Sequence, residues 1–185
     1  MRMSRFLLAL MFSYAGVAPT PCSFASDKIQ VLREVIQTGS DYDPRLETDF
    51  QKIGTDLALR MIRFYYALPD EERNGRGLVT FLLGQDNSSN VSLKLLYFRS
   101  VLSEPPCQSL SDCRGSAVAG SDEIALSYPQ IVTVISVERW LKEGHLSNEH
   151  RTQACGLVAT GAGFHSAIVS LISERILREH CDHEP

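Results

Sequence analysis

From Leu46 onward, apolar residues recur at helical spacing: Leu46, Phe50, Ile53, Leu57, Met61, Phe64 and Leu68 are separated by four, three, four, four, three and four positions. A helix turns once in about 3.6 residues, so this stripe stays on one face. Asp43 precedes it as an N-cap, and Pro44 suits the first helical position, where its missing N–H costs no hydrogen bond. The pattern predicts one amphipathic rod, Asp43–Leu68, of about 25 residues, stopped before Pro69. Glu47, Lys52, Thr55, Asp56 and Arg63 fall on its polar face. Phe64, Tyr65 and Tyr66 form an aromatic cluster at its end, read as core and rim.

A shorter helix precedes the rod, capped by Ser26 or Asp27, striped by Ile29, Leu32, Val35 and Ile36, and stopped at Gly39. Asp70-Glu71-Glu72 starts a turn that Gly75 and Gly77 are expected to interrupt, and Leu78–Leu83 is a short apolar run buried against the rod. Val91–Ser103 alternates like a strand at Val91, Leu93, Leu95 and Tyr97, but its length and the polar Asn87-Ser88-Ser89-Asn90 before it favour a helix. Ile131–Val137 is rich in β-branched residues; Pro129 at its start, Trp140 and Leu141 in phase and Gly144 as a stop again favour a helix. Between these two lies an irregular segment, 104–121, beginning at Pro105-Pro106 and ended by a short helix from Asp122. Ser147 caps a last helical region, lean at Gly156, Gly161 and Gly163. Glycine costs a helix about 1 kcal/mol relative to alanine, so this region is expected to break near Gly161–Gly163 or to pack very closely. It resumes through Phe164, Ile168, Leu171, Ile172 and Ile176.

The start of the chain has a different character. Met1–Arg5 holds two arginines and no acid, Phe6–Val17 is an almost purely apolar run of 12 residues, and Ser23-Phe24-Ala25 supplies small residues for cleavage. As a helix that run spans only about 18 Å, short of a ~30 Å hydrocarbon core. Residues 1–25 therefore read as a cleaved signal peptide, and 26–185 as the mature chain. No membrane insertion is expected after cleavage, and localisation is secreted or periplasmic. Cleavage takes the formal charge from −4 to −6, since Arg2 and Arg5 leave with no acid. An acidic chain without a basic face argues against nucleic acid as partner. The interspersed charges, among them Lys28, Arg33, Glu34, Glu138 and Arg139, read as a solvated surface.

Four cysteines remain after the signal: Cys107, Cys113, Cys155 and Cys181. In an exported chain they are expected to form two disulfides, and no Cys-x-x-Cys knuckle supports a metal site. On an unbroken helix the 26 positions between Cys155 and Cys181 correspond to about 39 Å. A hairpin at Gly161–Gly163 would set Cys155 opposite Ile168–Ser170. The expected connectivity therefore joins Cys107 and Cys113, one each, to Cys155 and Cys181, pinning the loop across the last helical region.

Candidate chemistry is sparse. His145, His150 and His165 lie near the glycine-rich stretch, and His180 and His183 end the chain as a weak metal-binding pattern. Cys155 with His150 or His165 would make a thiol nucleophile only if that thiol stayed reduced. Gly163-Phe164-His165-Ser166 is not a serine-hydrolase elbow. Asn87-Ser88-Ser89 and Asn90-Val91-Ser92 match glycan acceptors, which act only in a eukaryotic host. No catalytic, metal or cofactor site is assigned. The fold expected is all-α, a single compact domain of about five to seven helices stapled by disulfides. The function expected is non-enzymatic binding through protein–protein contact, as a periplasmic immunity or inhibitor protein or an envelope accessory. The alternatives are an exported enzyme with a dispersed histidine site and a eukaryotic secreted helical ligand.

Overall fold

The computed structural model describes residues 21–39, 43–86, 89–105 and 122–181, with side chains from 28 and 124 in the first and last stretches. Residues 1–20, Asn87, the segment 106–121 with Cys107 and Cys113, and His183 lie outside the described residues. The described chain is all helical, as the periodicity predicts, and holds nine α-helices and a closing π-helical turn. That exceeds the five to seven expected, for two reasons: the predicted rod is broken, and the glycine-rich segments are helical.

Helix α1 spans Pro21–Thr38 and ends at Gly39, whose φ of +62° is left-handed. Its start takes in the expected cleavage position after Ala25. Helix α2, Pro44–Asp49, is capped by Asp43, whose Oδ1 accepts from the Arg45 N–H at 2.9 Å. Helix α3, Thr55–Ala67, follows after a turn with Gly54 in extended geometry at its head. Asp43–Leu68 is therefore two helices and not one rod. The apolar stripe survives the break because Phe50 and Ile53, in the turn itself, are both buried. The Lys28 ammonium donates to the Asp49 carbonyl and the Ser89 hydroxyl to the Ile53 carbonyl, satisfying backbone that a continuous helix would have paired.

Helix α4, Arg73–Gln85, runs straight through Gly75 and Gly77, where interruption was expected. These glycines are close-approach positions. A Cβ on Gly77 would enter the ring of Tyr128, and one on Gly84 would meet the Ser136 side chain. Both contacts fall on α7, Tyr128–Glu143, which lies parallel to α4. The Gly84 carbonyl, in the last turn of α4, accepts from the buried Trp140 indole at 2.7 Å and also from Arg139. Between them in sequence come α5, Val91–Ser103, opened by Asn90 in the left-handed region, and the short α6, Asp122–Leu126. Lys94 of α5, fully buried, closes the end of α4 by donating to the Asp86 carbonyl at 2.5 Å and pairing with its carboxylate at 3.2 Å. The buried apolar side chains form one cluster, reaching from Leu32 of α1 through Trp140 of α7.

Helix α8, Asn148–Ala162, starts on the Ser147 hydroxyl, which accepts from the His150 N–H. Helix α9, Ala167–Ile176, starts on Ser166, and Leu177–Cys181 is the π-helical turn. Cys155 and Cys181 are bonded to each other, with Cα atoms 5.7 Å apart. This corrects the expected bridges from Cys107 and Cys113 to these two residues. The error lay in the position of the reversal. The chain turns at Gly163–Ser166, later than Gly161–Gly163, and Gly161 packs against Ser173 while the Ser170 hydroxyl donates to the Ala162 carbonyl at 2.6 Å. In that register Cys155 faces the end of the chain. Closing a 26-residue interval stabilises by about 3.5 kcal/mol in the chain-entropy account.

Two alanine substitutions are expected to act with opposite sign. Gly156→Ala, on α8 with nothing within 4 Å of the added carbon, stabilises by about 0.5–1 kcal/mol. Gly84→Ala forces α4 from α7 and destabilises by about 1–3 kcal/mol. Urea unfolding of the two variants beside the parent checks both signs; equal stabilisation would mean that α4 and α7 do not approach as described.

Candidate partner-binding surface

The histidines singled out in the sequence do not form a catalytic arrangement. His145 and His165 are exposed, and His150 Nε2 is hydrogen-bonded to the Ser92 hydroxyl at 2.8 Å, tying α8 to α5. Cys155 carries its sulfur in a disulfide and is no thiolate nucleophile. Among the described residues no hydrogen bond joins His150, His165 and Cys155. Asn90 spends its side-chain oxygen on the Thr55 hydroxyl at 2.7 Å.

His180 belongs to a different group. Ligand atoms of Glu138, Glu179 and His180 lie within 4.8 Å of one another, a spacing that a metal ion would accept. Both Glu138 oxygens are already taken: Arg175 donates to each at 3.0 Å, and Lys142 donates to one at 2.5 Å. Two cations in place make this an ion-pair clasp fastening α9 to α7. Burial pushes the Glu138 carboxyl up, but the hydrogen bonds from Lys142 and Arg175 outweigh it and hold the group below its ordinary value of about 4.5.

A second polar knot sits behind the C-terminal end of α3. Arg73, almost fully buried, donates to the Pro105 carbonyl at 3.0 Å and to the Leu126 carbonyl at 3.3 Å, joining the chain that leaves α5 to the end of α6. Arg76 donates to the Leu68 carbonyl at 2.7 Å and to Glu104 at 3.2 Å, and Glu104 also accepts from the Tyr65 hydroxyl at 2.8 Å. Burial, then the charge of Glu104, raise the Tyr65 phenol, so it remains a donor. The consequence is mechanical: the last turn of α3 is fixed from within.

On that backing α3 presents an outward face of unusual composition. Tyr65 points in and Tyr66 out, where its hydroxyl meets Ser100 of α5. Thr55 and Asn90 join the opposite ends, so α3 and α5 run side by side in the same direction. Along this seam two large apolar side chains stay in solvent, Leu59 at 38 % and Tyr66 at 49 % exposed, and Leu96 on the outer face of α5 is 63 % exposed. On its other edge α3 carries Arg60 and Arg63, and there, with Arg33 of α1, they line a groove of about 540 Å³ floored by Ile29 and Phe64. Exposed apolar groups beside arginines and tyrosine are the composition of binding surfaces. Sequence reasoning read Arg33 and Arg63 as solvated charges; the Arg60-x-x-Arg63 spacing was the available signal, but their meeting with Arg33 is tertiary. A second groove, about 430 Å³ between α2 and α4, is lined by Leu46, Phe50, Leu78 and Phe81. Its rim residue Asp43 is already paired with Arg45 at 2.7 Å.

No helix among the described residues is long and apolar enough to cross a membrane. Comparison of the chain with family models, curated proteins and solved structures finds no match.

The clasp should be acid-sensitive. A carboxyl held below its ordinary value contributes stability that is complete above about pH 4.5 and lost as the pH falls toward its lowered value. Glu138→Gln is expected to lower the melting temperature at pH 7 and to shrink the difference from the parent on acidification. A difference that stays constant from neutral pH to below 4 would contradict the ion-pair assignment.

Proposed function

We propose that the chain is an exported protein that binds another protein without catalysis, as a periplasmic immunity or inhibitor protein or an envelope accessory. Residues 1–25 direct export and are removed, and 26–185 act as one disulfide-stapled helical domain. The observation that carries this reading is the outward face of α3, where Leu59 and Tyr66 stand exposed beside Arg60 and Arg63 on a helix held rigid from behind. Unsheltered apolar groups on a rigid helix cost solvation in the free protein and gain it on association. A preset surface also loses little conformational entropy on docking. Tyrosine and arginine are the side chains that most often dominate such contacts.

The test uses exported material. Its intact mass is expected to place the first residue at Ser26, and recovery of Met1 would contradict removal of the leader. The tagged mature chain is expected to hold one stoichiometric protein partner, and Leu59→Asp with Leu96→Asp to weaken that complex at least about tenfold, the scale of an interface hot spot, with an unchanged circular-dichroism spectrum. A partner retained in full by the folded double variant, or turnover abolished by His150→Ala, would overturn the reading.

A further inference from the structure

The groove between α1 and α3 carries more information about its occupant than the apolar seam does. Its walls are two helices, with Ile29, Gln30 and Arg33 on one side and Arg60, Arg63 and Phe64 on the other. It continues past Arg33 and Phe64 into a second depression of about 480 Å³ that reaches Ile36, Leu68 and Pro69. From Arg60 to Pro69 the trough covers about 13 Å, between two and three helical turns. The Arg33 guanidinium lies over the Phe64 ring, 5.7 Å from its centre, with Nη1 donating to Gln30 at 2.8 Å, which holds that charge at the middle of the trough. Arg60 is paired with Asp56 at 3.0 Å, one turn back on the same helix. Arg63 is exposed and makes no ion pair among the described residues.

Three guanidinium groups thus share the trough, with Asp56 paired to Arg60 beside it and Glu72 lining its second depression, on a chain whose net charge is −4. We propose, resting on the protein-binding reading, that this groove receives an acidic amphipathic helix of the partner protein, its carboxylates one turn apart against Arg33, Arg60 and Arg63 and its apolar face on Ile29, Ile36 and Phe64. Arginine forks suit carboxylates, which they bind through paired hydrogen bonds. The spacing of Arg60 and Arg63 matches carboxylates at i and i+3 or i+4 of a helix laid alongside. A trough between two helices takes a third helix by its apolar face. A lipid surface is flat and would not reach apolar groups on the floor of a trough. The acidic balance of the whole chain opposes a nucleic acid.

The experiment titrates the mature, disulfide-bonded chain with two synthetic probes: a helical peptide of about four turns with leucines on one face and glutamates flanking them, and the same peptide with lysine for glutamate. The glutamate probe is expected to bind, more weakly as salt rises, and the lysine probe not to bind. Arg63→Glu, on an exposed side chain whose change leaves the fold intact, is expected to lower affinity for the glutamate probe at least tenfold. Arg33→Glu with Arg63→Glu is expected to reverse the preference in favour of lysine. Equal binding of both probes, indifference to charge reversal, or capture of the parent chain by phosphatidylglycerol vesicles through the same arginines would overturn the proposal. The two readings fail separately: a natural partner kept by Arg33→Glu with Arg63→Glu but lost by Leu59→Asp with Leu96→Asp overturns the groove alone.

Discussion

The structure depends on how closely α4 and α7 approach. Gly77 and Gly84 lie seven residues apart on one face of α4, two helical turns, and at each the missing Cβ is replaced by a side chain of α7. Trp140 then buries its indole with its one donor aimed at the Gly84 carbonyl, a group that the helix end leaves without an internal partner. A helix containing three glycines is weak alone and is stabilised by what it packs against. Of the other helices, α1 and α3 pack against α4; α5, α8 and α9 against α7; the short α6 against both α4 and α7; and α2 against α1.

Local punctuation made much of this fold legible. The Asp43 cap with Pro44, the Ser147 cap, the stops at Gly39 and Gly144 and the end of α3 before Pro69 are all where near-neighbour chemistry puts them. The misreadings share a cause. An apolar stripe reports which residues are buried, not whether the backbone between them stays helical, so Phe50 and Ile53 fit a rod and a turn equally well. Glycine reports a missing Cβ; whether that opens a turn or admits a neighbour is decided by Tyr128 or Ser136, more than fifty positions away. The Cys155–Cys181 bridge shows the same limit, because a reversal displaced by a few residues changes which positions face each other.

The surface was the least legible part. Tyr65 and Tyr66 are adjacent in sequence, yet one is buried and donates to Glu104 while the other stands half in solvent. That division follows from the 100° step of the helix, but its phase is set by α4 and α5. Arg73 and Arg76 are buried and held by carbonyls at Pro105, Leu126 and Leu68, while Arg60 and Arg63 look outward from the neighbouring helix. Burial lowers the Arg73 proton affinity, and the nearby Tyr65 and Glu104 oppose that shift. Charge buried inside fixes the frame on which charge outside is displayed.

Native-state hydrogen exchange under increasing urea tests the central claim most directly. If the α4–α7 contact holds the molecule together, backbone amides of both helices exchange only through global unfolding, with an opening free energy equal to the stability from urea denaturation. The C-terminal turn and α2, which bury less, open first. Exchange of α4 or α7 by a local, low-energy opening while the disulfide-bridged α8–α9 pair stays protected would contradict the account.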